Sequence, residues 1–305
     1  IMAGNISIFA IIVTYNAMKW LEKCLLSLIQ STIPIKIVVV DNASQDNTID
    51  SIKCNYPEVI LLEQNKNLGF GQGNNVGMKY ALTHGATHVL LLNQDAWIDN
   101  NMVSILLDYD DGNTLLSPIH MTGENNCLDK NFCTYAVMRS YNLKNLINDM
   151  ILHREGIYET YEINAACWFI PKSILMEIGG FNPLFFHYAE DNDYLQRLHY
   201  HNKKVCFVSK THAYHDRANV PERPLKFITC YQKLVLKAVN IQQPLYIGVF
   251  AAFRYLLSVI KVGLAQQRYF YIQIAIKALF RFVRDLPKIS NNRFQIKSKK
   301  PHWLI

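Results

Sequence analysis

Chemistry in this chain is most legible where acids and polar side chains cluster. The run Glu190-Asp191-Asn192-Asp193 opens a helical pattern that continues past Arg197. A carboxylate held there is a candidate general base, and it also suits the positive end of a helix dipole. Adjacent acids repel when both are ionised, which lifts one pKa toward neutrality. Successive helical residues face apart, so Glu190 and Asp191 are expected to serve different surfaces, with Asp193 and Arg197 as structural partners. Three further polar clusters each end an apolar run: Thr14-Tyr15-Asn16, Asp41-Asn42-Ala43-Ser44 and Asn93-Gln94-Asp95. Asp41 can accept hydrogen bonds from a pyrimidine ring or a ribose, or cap a helix that begins near Asp46, a task that suits Ser44 better. Asp95 is a hard oxygen ligand or a turn residue. His212 and His215 stand close together, and either is open to an ordinary polar role at a strand end. The stretch holding Gly69, Gly71, Gly73 and Gly77 permits close backbone approach to a phosphate or ribose beside a helix start.

These clusters need a scaffold to converge. Residues 8–13, 37–40, 59–62 and 89–92 are short, β-branched-rich apolar runs, as expected of strands buried on both faces of a parallel sheet. Between them, Trp20, Leu21, Cys24, Leu25, Leu28 and Ile29 follow the spacing of one helix face, and Val76, Tyr80 and Ala81 do so more briefly. Four rounds of strand and helix predict a βαβ architecture, in which ligands bind beyond the carboxyl ends of the strands. The pattern weakens over residues 100–163, where Asp110-Asp111-Gly112-Asn113 and Asn125-Asn126 read as turns. It returns as a strand over 165–170, a helix over 173–178 ended by Gly179-Gly180, a helix over 190–199 and a strand over 205–209.

Taken in order, the segments Ile11 to Asn16, Val38 to Ser44, Asn67 to Gly77, Leu91 to Asp95, Gly179-Gly180-Phe181, Phe185 to Asp193 with Arg197, and His215 resemble the inverting family-2 nucleotide-sugar glycosyltransferases. The resemblance spans roughly residues 6–216 and is nearest to rhamnosyl- and galactofuranosyl-transferase-like members. It implies a GT-A fold, an α/β architecture with a Rossmann-like mixed sheet flanked by helices. The implied activity is of the hexosyltransferase class: transfer with inversion from a dTDP- or UDP-sugar to a saccharide or lipid-linked saccharide in cell-surface polysaccharide synthesis. It assigns Asp191 as the base, and Thr14, Tyr15, Asn16, Asp41, Asn67, Gly69, Asn74, Asn93 and Gln94 to the donor. Asp95 and His215 fall to Mg²⁺ or Mn²⁺, and Trp168, His187 and Glu190 to the acceptor, with Phe185, Phe186 and Tyr188 as further aromatic surfaces. Two departures stand out. Asn182-Pro183 replaces an acidic pair, and Asn93 replaces the first acid of the metal motif. The alternative is a catalytically silent scaffold subunit on the same fold. A nucleotidyltransferase would need a glycine-rich loop where Tyr15-Asn16-Ala17 stands.

Composition bounds the rest. With half its 305 residues hydrophobic and 18% charged, the chain can bury a core and is neither disordered nor low-complexity. The net charge of +7 is uneven. Residues 225–305 hold fourteen Lys and Arg against one acid, Asp285, while the preceding part is net acidic. Seven scattered cysteines without a CxxC pair predict no disulfide framework and a reducing cytoplasm. The expected organisation is a catalytic domain over 1–224, with a nucleotide-sugar half near 1–99 and an acceptor half near 100–224, then a basic helical region over 225–305. Residues 245–260 are apolar apart from Arg254, short of a spanning helix. In that region Arg254 and Lys261, and then Lys277, Arg281 and Arg284, oppose apolar faces, so an anionic membrane surface is the expected partner, on the inner face of a bacterial-type membrane. Packing on the catalytic domain or a dimer interface are the competing uses of those faces. Nucleic acid is not expected, since no recognition motif accompanies the charge.

Overall fold

The computed structural model describes residues 6–124, 127–216 and 225–304. The Asn125-Asn126 turn and the expected domain boundary at residue 224 lie outside them. Four parallel strands form the first half of the sheet: β1 (Ile8–Thr14), β2 (Ile35–Asp41), β3 (Ile60–Glu63) and β4 (His88–Leu92), in the order 3-2-1-4. The connecting helices are α1 (Leu21–Ile29), α2 (Thr48–Asn55) and α3 (Phe70–Thr83). β1, β2 and β4 are buried along most of their lengths, as their continuous apolar runs require. β3 corrects the expectation for residues 59–62, because it is the edge of the sheet and remains half-exposed. On α1, Leu21, Cys24, Leu25 and Leu28 are buried, whereas Ile29 is exposed at the last turn.

β5 (Ala96–Ile98) follows β4. Among its described residues, the stretch that periodicity left blank then contains α4 (Met102–Asp108), β6 (Thr114–Thr122), a short turn α5 (Lys130–Phe132) running into a π-turn, α6 (Leu143–Ile151) and β7 (Ile157–Glu159). Then come β8 (Cys167–Pro171), α7 (Lys172–Ile178), α8 (Glu190–Tyr200) and β9 (Lys204–His215). β8 pairs antiparallel with β4, β6 pairs antiparallel with β8 and parallel with β9, and β5 and β7 flank β9. The sheet is therefore mixed, with the switch in direction falling between β4 and β8. β9 is twice the length expected and carries both His212 and His215.

Two cores line the faces of this sheet, and a third lies among α9 (Phe227–Val239), α10 (Leu245–Ala265) and α11 (Phe270–Ile296). Those three helices bury Cys230, Leu234, Ala252, Leu256, Ala275 and Phe282 against one another and take Phe185 from the preceding loop. The chain then turns back to the sheet. Leu304 is buried in the sheet core, and the Gly180 N–H donates to the His302 carbonyl at 2.8 Å. Gly179, at φ +81°, sits where an added Cβ would meet the His302 backbone at 2.5 Å. The α7–α8 connection is thus clamped from both sides.

Candidate active site

At the carboxyl ends of β1 and β2 the polar groups are spent on one another. Asp41 is fully buried; one oxygen accepts the Thr14 hydroxyl at 2.9 Å and the Ser44 hydroxyl at 2.5 Å, and the other accepts the Ser44 N–H at 2.8 Å. The Ser44 hydroxyl in turn accepts the Asn16 N–H, and the Asn16 side chain accepts the Gln45 N–H. Tyr15 and Gln94 make a reciprocal pair, backbone to side-chain amide, which ties the first strand end to the loop after β4. What remains exposed is a floor of Tyr15 and Asn16 with Gln94 beside it. Asn42, which sequence reading passed over, joins this floor to the glycine turn by donating to the Gly69 carbonyl and accepting the Leu68 N–H. Asn67 is exposed and its side chain accepts the Gly69 N–H, while Asn74 is buried and donates to the Phe70 carbonyl.

The glycines here do a different task from the one expected. Gly73 lies against the Val13 side chain, Gly77 against Ile11, and Gly71 against Phe181 and Glu190. They let α3 lie close on the sheet, and a β-carbon at Gly77 would collide with the core. Only Gly69, at φ +82°, serves a turn, and it abuts the Phe186 carbonyl.

The second centre forms where β4 and β9 end. His215 Nε2 stands 3.2 Å from an Asp95 oxygen and 3.5 Å from the Asn93 amide nitrogen, uniting residues 120 apart in sequence. His215 is 2% exposed, and its Nδ1 has no hydrogen-bond partner, with the Asp129 carboxylate 3.7 Å away. Asp129 is itself fixed, since its other oxygen accepts the Asn131 and Phe132 N–H groups. Burial, and then the neighbouring His215, push His120 down to about 4, so this imidazole is neutral at physiological pH. His212 lies elsewhere on β9 and contacts Asp99 at 3.1 Å. A carboxylate with an imidazole fits a divalent cation whose shell is completed by phosphate oxygens and water. Among the described residues no three His, Cys, Asp or Glu form a ligand set by themselves.

The third element is the start of α8. Tyr188 and Ala189 both occupy the left-handed region, at φ 73° and 72°, so the turn into α8 is strained where the acid run begins. Glu190 is buried beside Gly71, one of its oxygens lacks a partner, and burial together with the Asp191 charge pushes it up to about 8. Asp191, next along the helix, is half-exposed. Glu162, in the region that periodicity left unread, has its pKa raised by burial and, less strongly, by the Asp191 charge, against the opposing effect of Arg139, which bonds it at 2.6 Å. Asp193 and Arg197 form a fully buried pair at 2.9 Å, and Arg197 also donates to the Ile178 and Gly180 carbonyls. That pair fixes α8 to the α7 loop, the structural role expected of it.

Trp168 is a correction. It is fully buried on β8, packed between Phe181 and Tyr194, because β8 is central in the mixed sheet and its side chains fill the core. Phe185 is also buried, because its loop packs into the core of the three tail helices. His187, Phe186 and Tyr188 are exposed beside the glycine turn. Asp216, unread in the sequence, anchors the first loop by accepting from Trp20 Nε1 at 2.7 Å and Lys19 at 2.9 Å.

Comparison with known proteins agrees with this architecture. The sequence model of glycosyl transferase family 2 matches residues 9–127. The dTDP-rhamnosyl transferase RfbF of Shigella flexneri is 32% identical over 108 residues, 35% of this chain and 36% of that protein. The low-salt glycan biosynthesis hexosyltransferase Agl10 of Haloferax volcanii is 24% identical over 200 residues, 65% of this chain and 63% of its own length. The chain therefore matches less than two thirds of either relative. The mannosyltransferase PcManGT of Pyrobaculum calidifontis, solved with GDP-Man and Mn²⁺, superposes with a TM-score of 0.57 at 15% identity over 96% of this chain and 88% of that one. Strand order, the polar strand ends and these matches lead to one conclusion: residues 9–127 are similar to a glycosyl transferase family 2 domain, and the chain has the GT-A fold.

Proposed function

We propose that the protein transfers a sugar, with inversion, from a dTDP- or UDP-sugar to a saccharide or lipid-linked saccharide in cell-surface polysaccharide synthesis. The observation that carries this reading is the approach of His215 to Asp95 at 3.2 Å beside the open strand ends. The floor of Tyr15, Asn16 and Gln94, shaped from beneath by Thr14 and Asp41, receives the nucleoside, and the Asn67–Gly69 turn borders it. Asp95 and His215 would hold Mg²⁺ or Mn²⁺, which when bound offsets the charge of the departing diphosphate. Asp191 accepts the proton of the acceptor hydroxyl as that oxygen attacks the anomeric carbon and the nucleoside diphosphate leaves from the opposite face. Glu190, held protonated up to about pH 8 by burial and its neighbour, can donate a hydrogen bond to the acceptor. His187 and Tyr188 border the acceptor side. The exposed cations of the last two helices support a location at the cytoplasmic face of the membrane.

Release of nucleoside diphosphate from a panel of dTDP- and UDP-sugars, with and without Mn²⁺, tests the reading. Metal-dependent turnover of one donor supports it. Metal-dependent nucleotide binding without turnover of any donor and acceptor pair would favour the silent scaffold.

A further inference from the structure

The apolar faces that periodicity identified on the last two helices turn inward, yet a second apolar surface is left outside. On α10, Ala252, Leu256 and Val259 are buried, and Gly248 and Gly263 let it close on α9 and α11. The opposite side carries Tyr246, Phe250, Phe253, Leu257 and Leu264, which are 40–74% exposed and recur at helical i, i+4, i+7 and i+11 spacing before Leu264. On α11, Ile276, Phe280 and Val283 repeat the spacing and are 47–73% exposed. Stripes of this length and aromatic content exceed the scattered single residues normal for a protein surface.

Charge says what covers them. Arg254 and Lys261 flank the α10 stripe, and Lys277 and Arg284 flank Phe280 on α11; all four are exposed. Phe227, Lys277, Phe280, Arg281 and Arg284 line an open groove of about 700 Å³. Asp285 contacts Arg281 and Arg284 and offsets part of the three positive charges. Aromatic rings ringed by cations match the boundary between acyl chains and anionic headgroups. α10 is also 21 residues long with mean hydropathy 1.7, so by length and composition it reaches the size of a spanning helix, which residues 245–260 alone did not. Spanning would require it to leave α9 and α11 and to carry Arg254 at mid-membrane.

We propose that the outer face of α10 and α11 lies in the plane of an anionic membrane, with the aromatic stripes in the headgroup–acyl boundary and a lipid phosphate in the Lys277–Arg281–Arg284 groove. This refines the membrane location given above and is independent of the transfer chemistry. Because α11 and the residues after it clamp the α7–α8 connection, docking there fixes the orientation of α8 toward a lipid-linked acceptor.

Co-sedimentation of the full chain with phosphatidylglycerol-containing vesicles, against phosphatidylcholine alone, reads the interaction. The expected result is pelleting only with the anionic vesicles, weakened by salt and released by alkaline carbonate. Phe250→Ser with Phe253→Ser, and separately Lys277→Glu with Arg284→Glu, should each reduce partitioning by about tenfold or more while leaving the circular dichroism spectrum and donor turnover in detergent-free solution unchanged. Wild-type protein that stays in solution, variants that partition like wild type, or resistance to carbonate would overturn the inference. So would a stable dimer in sedimentation velocity that the Phe250/Phe253 variant dissolves, since a second copy would then cover the face.

Discussion

Asp41 and Glu190 are both buried carboxylates at the border of the same cleft, and they are treated in opposite ways. Every oxygen of Asp41 is engaged by Thr14 and Ser44, so this side is shaped before any ligand arrives. Glu190 keeps an oxygen without a partner, and so do His215 at Nδ1 and Asn93 at its side-chain oxygen. An unpaired buried polar group costs about 1–3 kcal/mol, and a fold carries that cost where a ligand repays it. The contrast separates a preformed floor at the ends of β1 and β2 from a candidate reactive rim made by the loop after β4, the end of β9 and the start of α8.

Mutations can break this contrast or sharpen it. The largest structural effect is expected at the rim's support: Arg197→Met leaves Asp193 buried and uncompensated, and should lower unfolding free energy by about 3–5 kcal/mol in urea titration. Truncation of Trp168 to Ala should cost a similar or slightly smaller amount, about 3–4 kcal/mol, with no specific loss of acceptor affinity, as befits a core residue. Glu190 gives a pH signature. Its folded pKa, about 8, lies above the unfolded value, so the protonated form is favoured in the folded state. Its contribution is fully present below pH 4.5 and is lost as pH rises toward 8 and beyond. Glu190→Gln should therefore flatten the decline in stability across that window, read by urea titration at a series of pH values. The smallest effect belongs to the floor, where Thr14→Val removes one donor to Asp41 and should cost about 1–2 kcal/mol in stability and weaken nucleotide binding without altering its metal dependence. If Thr14→Val abolished turnover while Glu190→Gln left the pH profile untouched, the division between floor and rim would be reversed.

The parallel half was legible because its strands are continuous apolar runs, which is what burial on both faces demands, and each run ends in a polar cluster. β3 misled only in burial, since four apolar residues do not say whether a strand is central or an edge. Asp95, His215 and the acid run were legible as residue types, but the meeting of Asp95 with His215 depends on β9 extending to His215, which the mixed sequence Lys210-Thr211-His212-Ala213 conceals. Asp129, Glu162 and Arg139 lay hidden in short elements with no sustained period. Trp168 and the glycines were misread for one reason. An aromatic ring or a missing β-carbon serves close packing as readily as ligand approach, and only the neighbours decide between them. The outward aromatic stripe of α10 was masked by its overall hydrophobicity, which hid which side faced the core.

The most direct test of the account pairs calorimetry of Mn²⁺-dependent nucleotide binding with the transfer rate of Asp191→Asn. The predicted result is nucleotide affinity equal to wild type and a transfer rate lowered by about 10²–10⁴-fold, as loss of a general base requires. A variant that keeps the full transfer rate would remove Asp191 from the chemistry and contradict the assignment of the reactive rim.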